Sequence, residues 1–147
     1  MWEHEKKALP AVLVQMFCGL RNAEVFRVRW KDFRLNGKHP FIYLSKAITK
    51  TSVSRSVPIP ENLSAWLKAL AIEGVSQKPE DFLFPGKDER ARKKGVNLAL
   101  DRAQKRTGIS KPANAFRHTA VSALCVIHDI FKAASYCGHK VNFTAPR

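Results

Sequence analysis

The sequence predicts a mainly α chain carrying a small three-stranded antiparallel β-sheet, an α+β fold class. Three observations predict it. Apolar side chains recur at three- and four-residue steps along most of the chain, the spacing of one helix face. Between residues 32 and 59 that period gives way to short runs suited to strands. Glycine, proline and asparagine stand where helices and hairpins would end. No internal repeat, low-complexity tract or linker is visible, so residues 1–147 are expected to form one domain.

Leu9, Val12, Leu13, Met16, Phe17 and Leu20 make the face of a first helix. Pro10 suits its first turn, where a missing N–H does no harm, and Gly19 suits its end. Asn22 is placed to cap a second short helix whose inner face is Val25, Phe26 and Trp30. Residues 32–35 are strand-like. Asn36-Gly37 accepts the positive φ of a hairpin turn, and residues 41–44 form the next strand. A polar loop, 45–54, leads to Arg55-Ser56-Val57-Pro58-Ile59-Pro60, whose prolines confine it to a sheet edge. Leu63, Trp66, Leu67 and Leu70 face inward from a helix started at Pro60-Glu61 and stopped by Gly74. Phe82-Leu83-Phe84-Pro85-Gly86 is a short extended run into a turn. A basic helix follows from about Glu89 to Thr107, with a thin apolar face of Val96, Leu100 and Ala103 and with Gly108 at its end. Pro112 and Asn114 introduce a helix carrying Phe116, Ala120, Val121 and Leu124. A last helix carries Ile130, Phe131 and Ala134 and ends near Gly138.

The chain is long enough to bury a real core. Lysine and arginine outnumber aspartate and glutamate 26 to 12, a net charge of +14. That balance favours a polyanionic partner, nucleic acid by default, over a merely basic soluble protein. Three cysteines, Cys18, Cys125 and Cys137, are too few and too odd in number for a disulfide framework. They sit among apolar residues and fit a reducing compartment. No run approaches the roughly 18 apolar residues that span a bilayer, and the acidic start Met1-Trp2-Glu3-His4-Glu5 is not a signal peptide.

Four short motifs carry chemistry. Gly19-Leu20-Arg21-Asn22-Ala23-Glu24 lies at the break between the first two helices. Lys50 lies in the loop eight residues ahead of Pro58, with Lys46 as its rival. Asn114-Ala115-Phe116-Arg117-His118-Thr119 opens the penultimate helix. Gly138-His139 closes the last one, His139 falling twenty-two residues after Arg117. In this order and spacing they resemble the catalytic domain of a tyrosine recombinase, the phage-integrase family, over almost the whole chain.

The resemblance implies a phosphoryl-transfer site. A phosphodiester under attack gathers negative charge on its non-bridging oxygens, which fixed guanidinium groups stabilise best. By resemblance Arg21 and Arg117 clamp the phosphate, Glu24 orients Arg21, Lys50 is the general acid for the leaving 5′ oxygen, and His139 hydrogen-bonds the phosphate. Asn114 stands where the family usually has histidine; it can donate or accept a hydrogen bond but cannot shuttle a proton, and it is also a good helix N-cap. His118 is a poor substitute, being a full helical turn from Asn114. The two tyrosines, Tyr43 in a strand and Tyr136 before the Gly-His pair, are out of the nucleophile's register, which falls just past Arg147. No nucleophile is therefore expected within the chain.

The implied activity is site-specific DNA recombination, integration or excision of a phage or other mobile element through a 3′-phosphotyrosyl intermediate. It needs no cofactor and no metal. The expected partner is double-stranded DNA, with a tetramer in the full-length protein, a monomeric fragment here, no membrane, and a cytoplasmic, nucleoid-associated setting. On this reading residues 1–147 are a catalytic domain without the amino-terminal DNA-binding domain and without the tyrosine segment. The alternatives are a non-catalytic DNA-binding remnant of an integrase, a type IB topoisomerase-like enzyme, and an unrelated basic RNA-binding protein. The spacing Cys125, His128, Cys137, His139 resembles a zinc site only loosely.

Overall fold

The computed structural model describes residues 2–50, 53–112 and 114–138. It is mainly helical with one small sheet, as the sequence predicts. Its elements run α1 (Trp2–Cys18), α2 (Asn22–Val25), β1 (Phe33–Arg34), β2 (Phe41–Leu44), α3 (Lys46–Thr49), β3 (Arg55–Pro58), α4 (Glu61–Ile72), α5 (Glu89–Thr107), α6 (Ala115–Ile127) and α7 (Ile130–Cys137). Among the described residues no helix is long and apolar enough to cross a membrane.

Helix α1 is the axis of the domain, packed against α4, α5 and α6. It begins well before Pro10, which lies inside it and not in its first turn. An internal proline forfeits one backbone bond. The turns before it are tied to the rest of the domain: Glu5 accepts from Arg106 at 2.7 Å and Lys6 pairs with Glu73 at 3.5 Å. Because partners surround it, α1 also buries a second face that the single-stripe expectation omits: Ala8, Ala11, Val14 and Cys18. Gly19 ends it with φ +66°.

The sheet is ordered β1-β2-β3 and is antiparallel throughout, with Ile42 opposite Val57 and Leu44 opposite Arg55. Alternation sends Ile42, Leu44 and Val57 into the core and Tyr43 outward. The expected polar loop before β3 contains the short helix α3, which ends at Lys50 with φ +50°. As its prolines require, β3 is an edge strand, and α7 packs on it.

Several inner faces differ from expectation. Trp66 is half-exposed while Leu63, Leu67 and Leu70 carry the buried side of α4. On α7 the large residues Ile130 and Phe131 are exposed, and Ala133, Ala134 and Cys137 are buried instead. Small side chains let the end of α7 come close to α1: a Cβ on Gly19 would lie 3.2 Å from both Ala120 Cβ and Cys137 Sγ. Cys18 and Cys137 are buried, whereas Cys125, also set among apolar residues in the sequence, is exposed. On α5 the sequence reading missed Arg92, which is buried against the Phe82 ring and donates from Nε to the Phe26 carbonyl at 2.9 Å.

Candidate active site

Four segments meet where α7 ends. The α1–α2 break supplies Arg21 and Glu24, β3 supplies Arg55, α6 supplies Arg117, and α7 offers the carbonyls of its last residues. Each segment is placed by local chemistry. Gly19 turns the chain out of α1, and Arg21, with extended backbone, takes the N-cap position of α2. The expected cap, Asn22, sits one place later. The Glu24 carboxylate accepts from the Arg21 backbone N–H at 2.9 Å, so the acid closes the helix start.

The three guanidinium groups converge on consecutive carbonyls. Arg55 Nε donates to Tyr136 O at 3.0 Å, Arg117 Nη2 to Cys137 O at 2.9 Å, and Arg21 Nη2 to Gly138 O. Arg117 Nη1 also reaches Gly19 O at 2.6 Å. The last turn of a helix exposes unpaired carbonyls and partial negative charge, which cations satisfy. Arg21 and Arg117, ninety-six positions apart in the chain, thus occupy one locus.

Beneath them lies Glu24, with a side chain 1% exposed. Its fork partner is Arg55, at 2.8 Å to each carboxylate oxygen, whereas the Arg21 guanidinium stays 3.8 Å away. Glu24 therefore meets Arg21 chiefly through the main chain. Three guanidinium groups against one carboxylate leave the locus net positive. Burial holds the Arg117 guanidinium below its usual pKa; the Glu24 carboxylate opposes that shift, and the charges of Arg21 and Arg55 add to it. Burial also pushes up the thiols of Cys18 and Cys137.

The other sequence-derived residues lie around this centre. Asn114 occupies the N-cap position of α6 in the left-handed region, φ +57°, which asparagine tolerates better than most residues. Its side chain makes no cap; its Oδ1 instead accepts from Asn22 Nδ2 at 3.4 Å, and Asn22 Oδ1 in turn accepts from Gln15 Nε2 at 2.7 Å. Lys50 is exposed at the end of α3, and its charge helps hold the Glu89 carboxyl low, a shift due first to Arg27. His118 is exposed on α6. His139 lies outside the described residues. Tyr43 sits on the outer face of β2, and the Tyr136 ring packs edge-on against His128 at 5.4 Å. Among the described residues no group of three metal-ligating side chains gathers.

Arg55 is the residue of this site that the sequence reading missed. A signal was present. Arg55 and Val57 are two apart on one strand and share its inner face, so an apolar-facing arginine required a buried partner.

Gly138 is fitted to this site. It has φ +68°, and a Cβ there would lie 2.8 Å from Arg55 Cζ and 3.2 Å from Arg21 Nη1. Gly138→Ala is expected to destabilise the domain by at least about 1–2 kcal/mol from the left-handed backbone alone. Thermal melting reads this as a fall of several degrees; an unchanged Tm would show that the end of α7 is free to relax.

A model of the phage integrase family matches residues 3–145 of the chain. No curated protein matches it at a significant level. Among solved structures, XerA recombinase is similar with a TM-score of 0.64 and 20% identity, over 96% of this chain and 56% of that one. At that identity the likeness shows the fold. The chain spans little more than half the length of that relative.

Proposed function

The chain belongs to the phage integrase family, and on that premise we propose that it is the phosphate-binding part of a site-specific DNA recombinase. The observation that supports this most is the convergence of Arg21 and Arg117 on the end of α7, in a locus with excess positive charge. Two fixed forks beside one another suit the non-bridging oxygens of a single phosphodiester as it gains charge under attack.

The remaining roles follow from chemistry. The Asn114 amide can donate to a phosphate oxygen in a place where imidazole would also move a proton. Lys50, exposed at the end of α3, serves as the general acid, since an ammonium can protonate the leaving 5′ oxygen. His139 adds a further phosphate hydrogen bond. The attacking tyrosine comes from outside residues 1–147, and strand exchange takes place in a tetramer on two duplexes. A second reading, a DNA-binding remnant without chemistry, is favoured by Asn114 alone, because an amide offers no general base.

Helix α5 has an exposed basic side of its own, with Arg90, Lys93 and Lys94. The chain is expected to bind duplex DNA weakly, with little sequence preference and strong salt dependence. A protein contacting about six phosphates loses roughly 10³ in affinity between about 50 and 200 mM salt. Titration of a labelled duplex across that range measures the slope. Binding indifferent to salt, or none at low salt, would overturn the DNA reading.

A further inference from the structure

We propose that Arg55 is a positioning residue that neutralises the buried Glu24 carboxylate and thereby keeps the Arg21 guanidinium free to face a phosphate. The inference deepens the recombinase reading and rests on it for the identity of the anion.

Two cations compete here for one carboxylate. Glu24 is almost wholly buried, and a buried carboxylate cannot remain unpaired. Arg55 takes both of its oxygens in parallel, and its third bonded N–H goes to Tyr136 O. Its side chain is only 11% exposed and its bonding capacity is directed inward, so Arg55 is badly placed to meet DNA itself. Arg21 differs in exposure and in its distance from the acid, although its Nη2 also holds a helix-end carbonyl, Gly138 O. Its side chain is 38% exposed, and its Nη1 stops 3.8 Å short of Glu24. One guanidinium is committed to the acid and the other is left at the surface.

Without Arg55 the nearest cation able to satisfy Glu24 is Arg21, three residues away and already at the edge of ion-pair range. The Arg21 head would swing inward onto the carboxylate and leave the position where it can meet a phosphate. Arg55 also lies directly under Gly138, so it sets the height of the helix end that Arg21 and Arg117 both hold.

Variants Arg55→Met, Arg55→Lys and Glu24→Gln, and the double variant Arg55→Met with Glu24→Gln, test this by two readouts. One is affinity for a labelled duplex at low salt. The other is hydrogen exchange of the Arg21 guanidinium protons by NMR without DNA. Arg55→Met is expected to weaken duplex binding by roughly tenfold, the loss of one charge-assisted contact, and to slow Arg21 exchange. Adding Arg21→Ala to it should weaken binding no further. Adding Glu24→Gln should restore both binding and fast exchange, although the ion pair is still missing. Relief of the buried charge would restore stability for a merely structural arginine as well, but that role would leave Arg21 exchange unchanged among the folded variants. A double variant that melts as a folded domain yet binds no better than Arg55→Met would overturn the proposal. Should Arg55→Met fail to fold, Arg55→Lys keeps a charge beside Glu24 and is expected to leave Arg21 exchange fast; slow exchange there, or in the double variant, sinks the idea. If no variant and not the parent chain binds duplex while Arg21 exchange follows the predicted order, the recombinase reading fails and the role of Arg55 stands.

Discussion

Arg117→Ala is expected to abolish DNA cleavage by the protein carrying its tyrosine. The loss should reach at least about 10²–10³, the usual effect of removing one preorganised donor from a developing oxyanion. Arg117 has a second task that makes the effect larger. Its two Nη groups tie Gly19 O at the end of α1 to Cys137 O at the end of α7. Truncation removes a charge from the phosphate and releases the two segments that frame it. Each carbonyl left without a partner in a dry place costs about 1–3 kcal/mol. Arg117→Lys keeps the charge but has one head group for two carbonyls, so it should recover stability only in part and little of the rate. Cleavage of a suicide DNA substrate measures the chemistry, and thermal melting of each variant separates it from unfolding. Arg117→Ala that cleaves at the parent rate would remove this residue from the site.

The second large effect concerns the nucleophile. Residues 1–147 alone are expected to form no covalent adduct with a suicide substrate. Tyr43 lies on the outer face of β2, and Tyr136 is engaged with His128 while its carbonyl holds Arg55. Neither is expected to attack a phosphate bound at Arg21 and Arg117. Extension past Arg147 through a tyrosine should give a slow adduct, because the Asn114 amide cannot take the tyrosine proton. Asn114→His in the extended protein should then accelerate cleavage, within the range of about 10²–10⁴ that general acid–base help supplies. Position 114 has a left-handed backbone, which histidine, like asparagine and aspartate, adopts more readily than most residues, so strain should not cancel the gain. A denaturing gel showing a shifted protein–DNA band reads both results. A band from the unextended chain, mapped to Tyr43 or Tyr136, would break the assignment of the nucleophile.

The sequence by itself determined the fold class, the sheet and the two arginines. Period-two alternation around Ile42 and Val57, Asn36-Gly37 and the prolines of β3 are local signals, each acting within a few residues. They placed the strands at 41–44 and 55–58 almost to the residue. The Gly-Leu-Arg box and the Phe-Arg-His box are contiguous strings, so Arg21 and Arg117 could be found without coordinates. Only the tertiary structure decided what these residues do for one another. It sent Trp66, Ile130 and Phe131 outward, because helix faces are chosen by neighbours and not by apolar spacing alone. It gave Glu24 to Arg55 across thirty-one positions, and gathered three forks on the last carbonyls of α7. A buried charge must find its partner in space, and distance along the chain carries no record of which cation will be nearest when the core closes.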